Sequence, residues 1–187
     1  MKIIPTELSG IVLIEPESHR DERGLFYEAF NRNDYLKAGL DLSFVQDNVS
    51  HSGAGVLRGL HYQLKRPQGK LVTVLRGRIF DVAVDLRRHS KTFGQWVSAD
   101  LSGYNHRVLW VPPGFAHGFY VLSQGATVLY KVTEHYAPDQ ARTLLWNDPA
   151  LRIEWPLKDE QLLILSDQDR AGLPLEACQV YEGQQWL

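Results

Sequence analysis

Apolar and polar positions alternate along much of this chain with a period of two. The clearest run is 80–86, where Phe80, Val82, Val84 and Leu86 interleave with Asp81, Ala83 and Asp85. That spacing puts the two sets on opposite faces of a strand. Similar short runs, rich in β-branched and aromatic residues and bounded by turn residues, predict strands over 11–15, 25–30, 44–50, 57–64, 71–76, 78–86, 95–101, 107–111, 117–122 and 127–136. Gly77, between two of them, marks a hairpin. One short helix is expected over 34–38, with Asn33 as N-cap and Gly39 just past its end. After Tyr136 the texture changes. Pro138, Pro149, Pro156 and Pro174 break the chain into short pieces and predict a C-terminal lid of turns with one helix. Ten antiparallel strands with such a tail fit an all-β, double-sheet jelly roll whose mouth is free to hold a ligand. An immunoglobulin-like sandwich is the competing architecture.

Composition narrows the function classes. A length of 187 residues implies one domain over 1–187, and 44% hydrophobic with 22% charged residues is ordinary for a globular chain. The net charge of -2 supplies no basic field for phosphates, so nucleic acid is not an expected partner. The first residues lack the basic flank and long apolar run of a signal peptide, and no stretch approaches the roughly 20 apolar residues of a membrane span. A cytoplasmic, soluble protein is expected. The lone Cys178 can form neither an internal disulfide nor a thiolate zinc site, which fits a reducing compartment.

The candidate chemistry lies in two histidine motifs. Jelly rolls of the cupin type often hold a metal through His-x-His with a later Glu and a second motif, Pro-x-Gly-x-x-His. Here the first survives only as His61-Tyr62-Gln63, with no Glu between Leu64 and Val74, while the second is intact from Pro112 to His117. Two histidines with an amide are a poor set for a transition metal, so no metal and no cofactor are expected. What remains is acid–base chemistry: an imidazole with an unperturbed pKa of roughly 6.5 takes a proton near neutral pH when a partner, usually a carboxylate, fixes its tautomer. Spacing alone leaves each of the seven histidines open to a structural role.

Several motifs then occur in order: Asp21-Glu22-Arg23-Gly24, Phe44-Val45-Gln46-Asp47-Asn48, Leu57-Arg58-Gly59-Leu60-His61-Tyr62-Gln63, Gln68-Gly69-Lys70, Phe80-Asp81-Val82-Ala83-Val84-Asp85, Phe93-Gly94-Gln95-Trp96, Pro113-Gly114-Phe115-Ala116-His117-Gly118-Phe119 and Leu145-Trp146-Asn147-Asp148-Pro149. Together they resemble the dTDP-4-dehydrorhamnose 3,5-epimerase family of dTDP-sugar epimerases, over about Glu15 to Pro174. The resemblance implies a metal-free cupin (a double-stranded β-helix with short peripheral helices) that acts as a homodimer on dTDP-4-dehydro-6-deoxyglucose, with an early strand exchanged between subunits. It further implies His61 as general base and Asp169, in Leu165-Ser166-Asp167-Gln168-Asp169, as the carboxylate orienting it. Asp167 is the rival for that place. Lys70 would steady an enolate oxygen, and Tyr130 would protonate the opposite sugar face. Arg23 and Arg58 would hold the diphosphate, while Glu28, Gln46, Asn48 and His117 would line the nucleotide and sugar site.

Without the resemblance the same residues read differently: Lys70 as a solvated turn lysine, Tyr130 as a core aromatic, Asp169 as a helix N-cap, and the two arginines as surface ion-pair partners. Strict alternation also sets Arg58 and His61 on opposite faces of one strand. Either Gly59 marks a bulge or the arginine comes from the dimer partner. Two departures stand out, since the family commonly has tyrosine where His135 stands and lysine where Gln168 stands. Both bear on the nucleotide end.

Overall fold

The computed structural model describes residues 1–157, 159 and 162–183. Among them, thirteen strands and two short helices follow in the order β1 (Lys2–Pro5), β2 (Val12–Glu15), β3 (Ser18–Asp21), β4 (Gly24–Tyr27), α1 (Arg32–Lys37), β5 (Gln46–Gly53), β6 (Leu57–Gln63), β7 (Lys70–Arg76), β8 (Arg78–Asp85), β9 (Trp96–Ser102), β10 (Val108–Val111), β11 (Phe115–Val121), β12 (Gly125–Val132), β13 (Ala141–Thr143) and α2 (Asp167–Arg170). One sheet runs β1-β2-β10-β7-β12-β5 and the other β13-β6-β11-β8-β9, while β3 and β4 pair only with each other. Neighbouring strands are antiparallel and mostly not consecutive in sequence. This is the cupin-like jelly roll, not the immunoglobulin-like sandwich.

Each of the ten expected strands overlaps an observed one. The three not anticipated have little apolar pattern: β3 is Ser-His-Arg-Asp with every residue exposed, β13 is a three-residue edge strand, and β1 ends in Pro5. Gly77 is not a hairpin turn, because β7 and β8 lie in different sheets. It is the corner where the chain crosses between them. Its φ is +83° and an added Cβ would stand 2.1 Å from the Gly125 carbonyl oxygen, so only glycine fits. The helix also starts earlier than expected. Asn31, not Asn33, is the N-cap, its Oδ1 accepting from the Asn33 backbone N–H at 3.1 Å.

Burial explains the layers. Val72 and Val74 of β7, Leu109 of β10 and Val128 of β12 meet Ala83 of β8, Phe115 and Phe119 of β11 and Leu101 of β9 between the sheets. A second cluster, with Tyr35 of α1 and Leu42 packed on Ile14, Leu71, Val108 and Trp110, backs the six-stranded sheet. The third decides where the tail goes: Leu151, Cys178, Val180 and Tyr181 cover Leu60, Tyr62, Val82, Val84 and Leu86 on the outside of the five-stranded sheet. The C-terminal part is therefore mainly a backing layer and not a lid. Both faces of β8 are consequently buried, and its inward face is the one that carries Asp81, Ala83 and Asp85.

Candidate active site

The site begins with an irregularity in β6. His61 stands opposite His117 of β11, yet Arg58 stands opposite Phe119, so Gly59 and Leu60 face the single residue Gly118. This bulge cancels the odd spacing and brings Arg58 and His61 to the same inward face. Glycine is required on both strands: Gly59 has φ +128°, and a Cβ there would lie 2.6 Å from the Gly118 Cα. Of the two explanations open at the sequence level, the bulge suffices to align these residues.

His61 Nε2 lies 2.5 Å from Asp169 Oδ1 on α2. Asp169 is 2% exposed, and Ser166, the N-cap of α2, both donates its hydroxyl to Asp169 Oδ2 at 2.7 Å and accepts from the Asp169 N–H at 3.1 Å. Burial alone would raise this carboxyl, but hydrogen bonds and charge from His61, the Ser166 hydroxyl and the Gly59 N–H hold it below the usual carboxylate range. An ionised carboxylate only accepts, so Nε2 carries the proton and Nδ1 is left as the basic nitrogen. Asp167, the rival, is exposed. The N-cap itself is Ser166, not Asp169.

His61 shares a cavity of about 280 Å³ with Lys70, Tyr130, Gln46 and Asn48, together with Gln68, Tyr136 and Gln168. Tyr130 and Asn48 face each other across the β12–β5 pair. Burial pushes the Tyr130 hydroxyl up, against the opposing pull of Arg58 and Ser50, so it stays protonated at neutral pH. Burial likewise lowers the Lys70 ammonium to about 8, with the charge of Asp81 acting in the opposite direction. Lys70 Nζ also donates to the His61 carbonyl at 3.2 Å. An imidazole held by an ionised carboxylate, a neutral tyrosine hydroxyl and a buried lysine thus stand around one space.

The remaining expected residues are placed less uniformly. Arg58 Nε donates to the Ser52 hydroxyl at 2.9 Å, close enough to Tyr130 to bias its hydroxyl. His117 is 6% exposed and turned to Asp81, with Nε2 at 2.9 Å from Oδ1; it lies behind the cavity wall. Arg23 and Glu28 are not at the cavity of this chain. Arg23 sits at the tip of the β3–β4 hairpin, paired with Asp21, and the Glu28 carboxylate accepts from Asn31 Nδ2 at 3.1 Å. Of the two departures, His135 is exposed beside Tyr136, which lines the cavity, and Gln168 donates to the Thr143 hydroxyl at 3.1 Å. Among the described residues, no group of three or more His, Cys, Asp or Glu is arranged to hold a metal ion. Asp81 was the chemical residue not singled out by sequence. Its signal was a carboxylate in the alternating pattern of a strand buried on both faces.

A jelly roll with a His–Asp pair, a buried tyrosine and a lysine around one cavity defines an acid–base enzyme of the cupin type. The model of the dTDP-4-dehydrorhamnose 3,5-epimerase family matches residues 5–177, and the chain belongs to that family of isomerases. It is 53% identical over 173 residues to the dTDP-4-dehydrorhamnose 3,5-epimerase of Pseudomonas aeruginosa, covering 92% of this chain and 94% of the relative. Among solved structures it is similar to the dTDP-6-deoxy-D-glucose-3,5-epimerase of Legionella pneumophila Philadelphia 1 in complex with dTDP-4-keto-L-rhamnose, at 48% identity and TM-score 0.94 over 98% of both chains. A 3′-monoepimerase, ChmJ of Streptomyces bikiniensis in complex with dTDP, is similar at 31% identity and TM-score 0.91, covering 98% of this chain and 94% of that one.

Proposed function

We propose that this protein converts dTDP-4-dehydro-6-deoxy-D-glucose to dTDP-4-dehydro-L-rhamnose by inverting C-3 and C-5, working as one domain over 1–187, as a homodimer, in the cytoplasm. The observation that carries the reading is the convergence of His61 with its ionised Asp169, Tyr130 and Lys70 on a single cavity. Both carbons flank the C-4 ketone, so loss of either hydrogen gives an enolate on the same oxygen. His61 Nδ1 takes the C–H proton, and the bonding pair moves to the C-4 oxygen. Tyr130 then delivers its hydroxyl proton to the opposite face of the carbon, which is what inversion requires; the imidazolium and phenolate return to their starting forms by proton exchange with water. A ketone α-hydrogen is weaker than an imidazolium by roughly a dozen pKa units, too much for an unaided base. Lys70 lowers that barrier by meeting the charge as it develops on oxygen, in a site where little water competes.

Substrate binding falls to Gln46, Asn48 and Arg58 of the same chain, with His117 backing the sugar end of the cavity from behind its wall, and to Arg23 and Glu28 delivered by the partner. The exposed β3–β4 hairpin, with Phe26 at 69% and the Arg23 side chain at 89% exposure, supports that delivery. Cys178 as a free buried thiol agrees with a reducing compartment. The similarity to a 3′-monoepimerase gives the second reading, in which one carbon alone is inverted. Incubation of the ketosugar with enzyme in deuterated water separates the two: label at both C-3 and C-5 is expected, and label at one carbon only would sink the double epimerisation.

A further inference from the structure

Behind the cavity wall stands a carboxylate that the reaction as described does not use. Asp81, on the inward face of β8, has no exposed surface, and its only hydrogen-bond partner among the described residues is His117 Nε2, at 2.9 and 3.0 Å from its two oxygens. A carboxylate out of reach of water keeps its charge only beside positive charge. Lys70, on β7 across the interior, supplies such a charge, and Asp81 acts on it electrostatically. The other titratable groups that line the cavity with Lys70 are His61, Tyr62, Tyr130, Tyr136 and Arg142, none of them a carboxylate, and the carboxylate nearest His61 is Asp169. Asp169 is already taken by His61, Ser166 and the Gly59 N–H, so Asp81 is the carboxylate left to face the lysine.

The geometry points to Asp81 as the positioning residue of the enolate side of the cavity: one buried carboxylate anchors His117 and provides the countercharge to Lys70. It does not touch the sugar. This rests on the role given to Lys70 above. Burial brings the Lys70 ammonium down to about 8 even with Asp81 opposing the fall. Loss of the Asp81 charge removes that opposition and lowers it further, so the protonated share near pH 7.5 falls.

The test is the pH profile of kcat for Asp81→Asn, with dTDP affinity measured beside it. The expected result is a lower kcat near pH 7.5, an alkaline limb displaced toward lower pH, an unmoved acid limb and unchanged dTDP binding. Asp81→Glu, which restores the charge, should return the limb toward its wild-type position. An alkaline limb that stays in place in Asp81→Asn, or one that Asp81→Glu does not restore, overturns the proposal. Asp81→Ser, smaller and equally uncharged, decides the matter if the amide does not pack. Lys70→Met checks the underlying reading separately: wild-type turnover in that variant refutes the lysine's role whatever Asp81 does.

Discussion

At the scale of single residues, the charge of Asp169 does two things. It fixes the tautomer of His61, and it ties α2 to β6. Asp169→Asn keeps the shape but presents an amide that pairs with either tautomer, so kcat should fall by roughly 10²-fold or more with dTDP affinity little changed. Isothermal titration beside steady-state kinetics checks that split; a parallel loss of binding would point to a folding defect instead. The pH dependence has a definite sign. Because the folded pKa of Asp169 is depressed, its contribution to stability is present above the ordinary carboxylate range near 4 and is lost as pH falls through the lower folded value. Relative to wild type, Asp169→Asn should therefore be least stable at neutral pH, with the gap narrowing in acid.

Among the elements, β6 matters most, because its bulge makes Arg58 and His61 neighbours. Gly59→Ala should cost about 2 kcal/mol or more, since the Cβ has no room and the backbone sits at a φ that L-residues avoid. The melting temperature should fall, and the Michaelis constant should rise as well if the strand relaxes to regular register and turns Arg58 away. The strands themselves were legible because their alternation is strong, and ten of them sit where hydropathy puts them. β3 was not, since an exposed hairpin buries nothing and so needs no apolar pattern. That His61, Asp169, Lys70 and Tyr130 belong together was legible through ordered motifs and the resemblance they carry, and the structure brings the four side chains together. The bulge was legible only as a question, because Gly59 marks a possible irregularity without stating its direction. Asp81 escaped notice because its meaning depends on which face of β8 turns inward, and that is decided by the C-terminal backing layer far away in sequence.

On the scale of the whole molecule, the β3–β4 hairpin is the part that the single chain leaves unused. If it serves the partner's cavity, two defective chains should complement each other. Arg23→Ala weakens the site of the opposite subunit, and His61→Ala disables its own. Mixed and re-associated, they should regain roughly a quarter of wild-type activity at subsaturating substrate, as random pairing of a two-fold dimer requires. Activity no greater than the average of the two parents would show that Arg23 works within its own chain or not at all.

The His61–Asp169 contact joins positions 108 residues apart in sequence. A loop of that length must close before the imidazole has its holder, and contacts so distant form slowly. Until α2 has docked on β6, no carboxylate holds the His61 imidazole in one tautomer. In the role proposed for His61, turnover therefore reports more than substrate supply: it signals that α2 has closed onto β6.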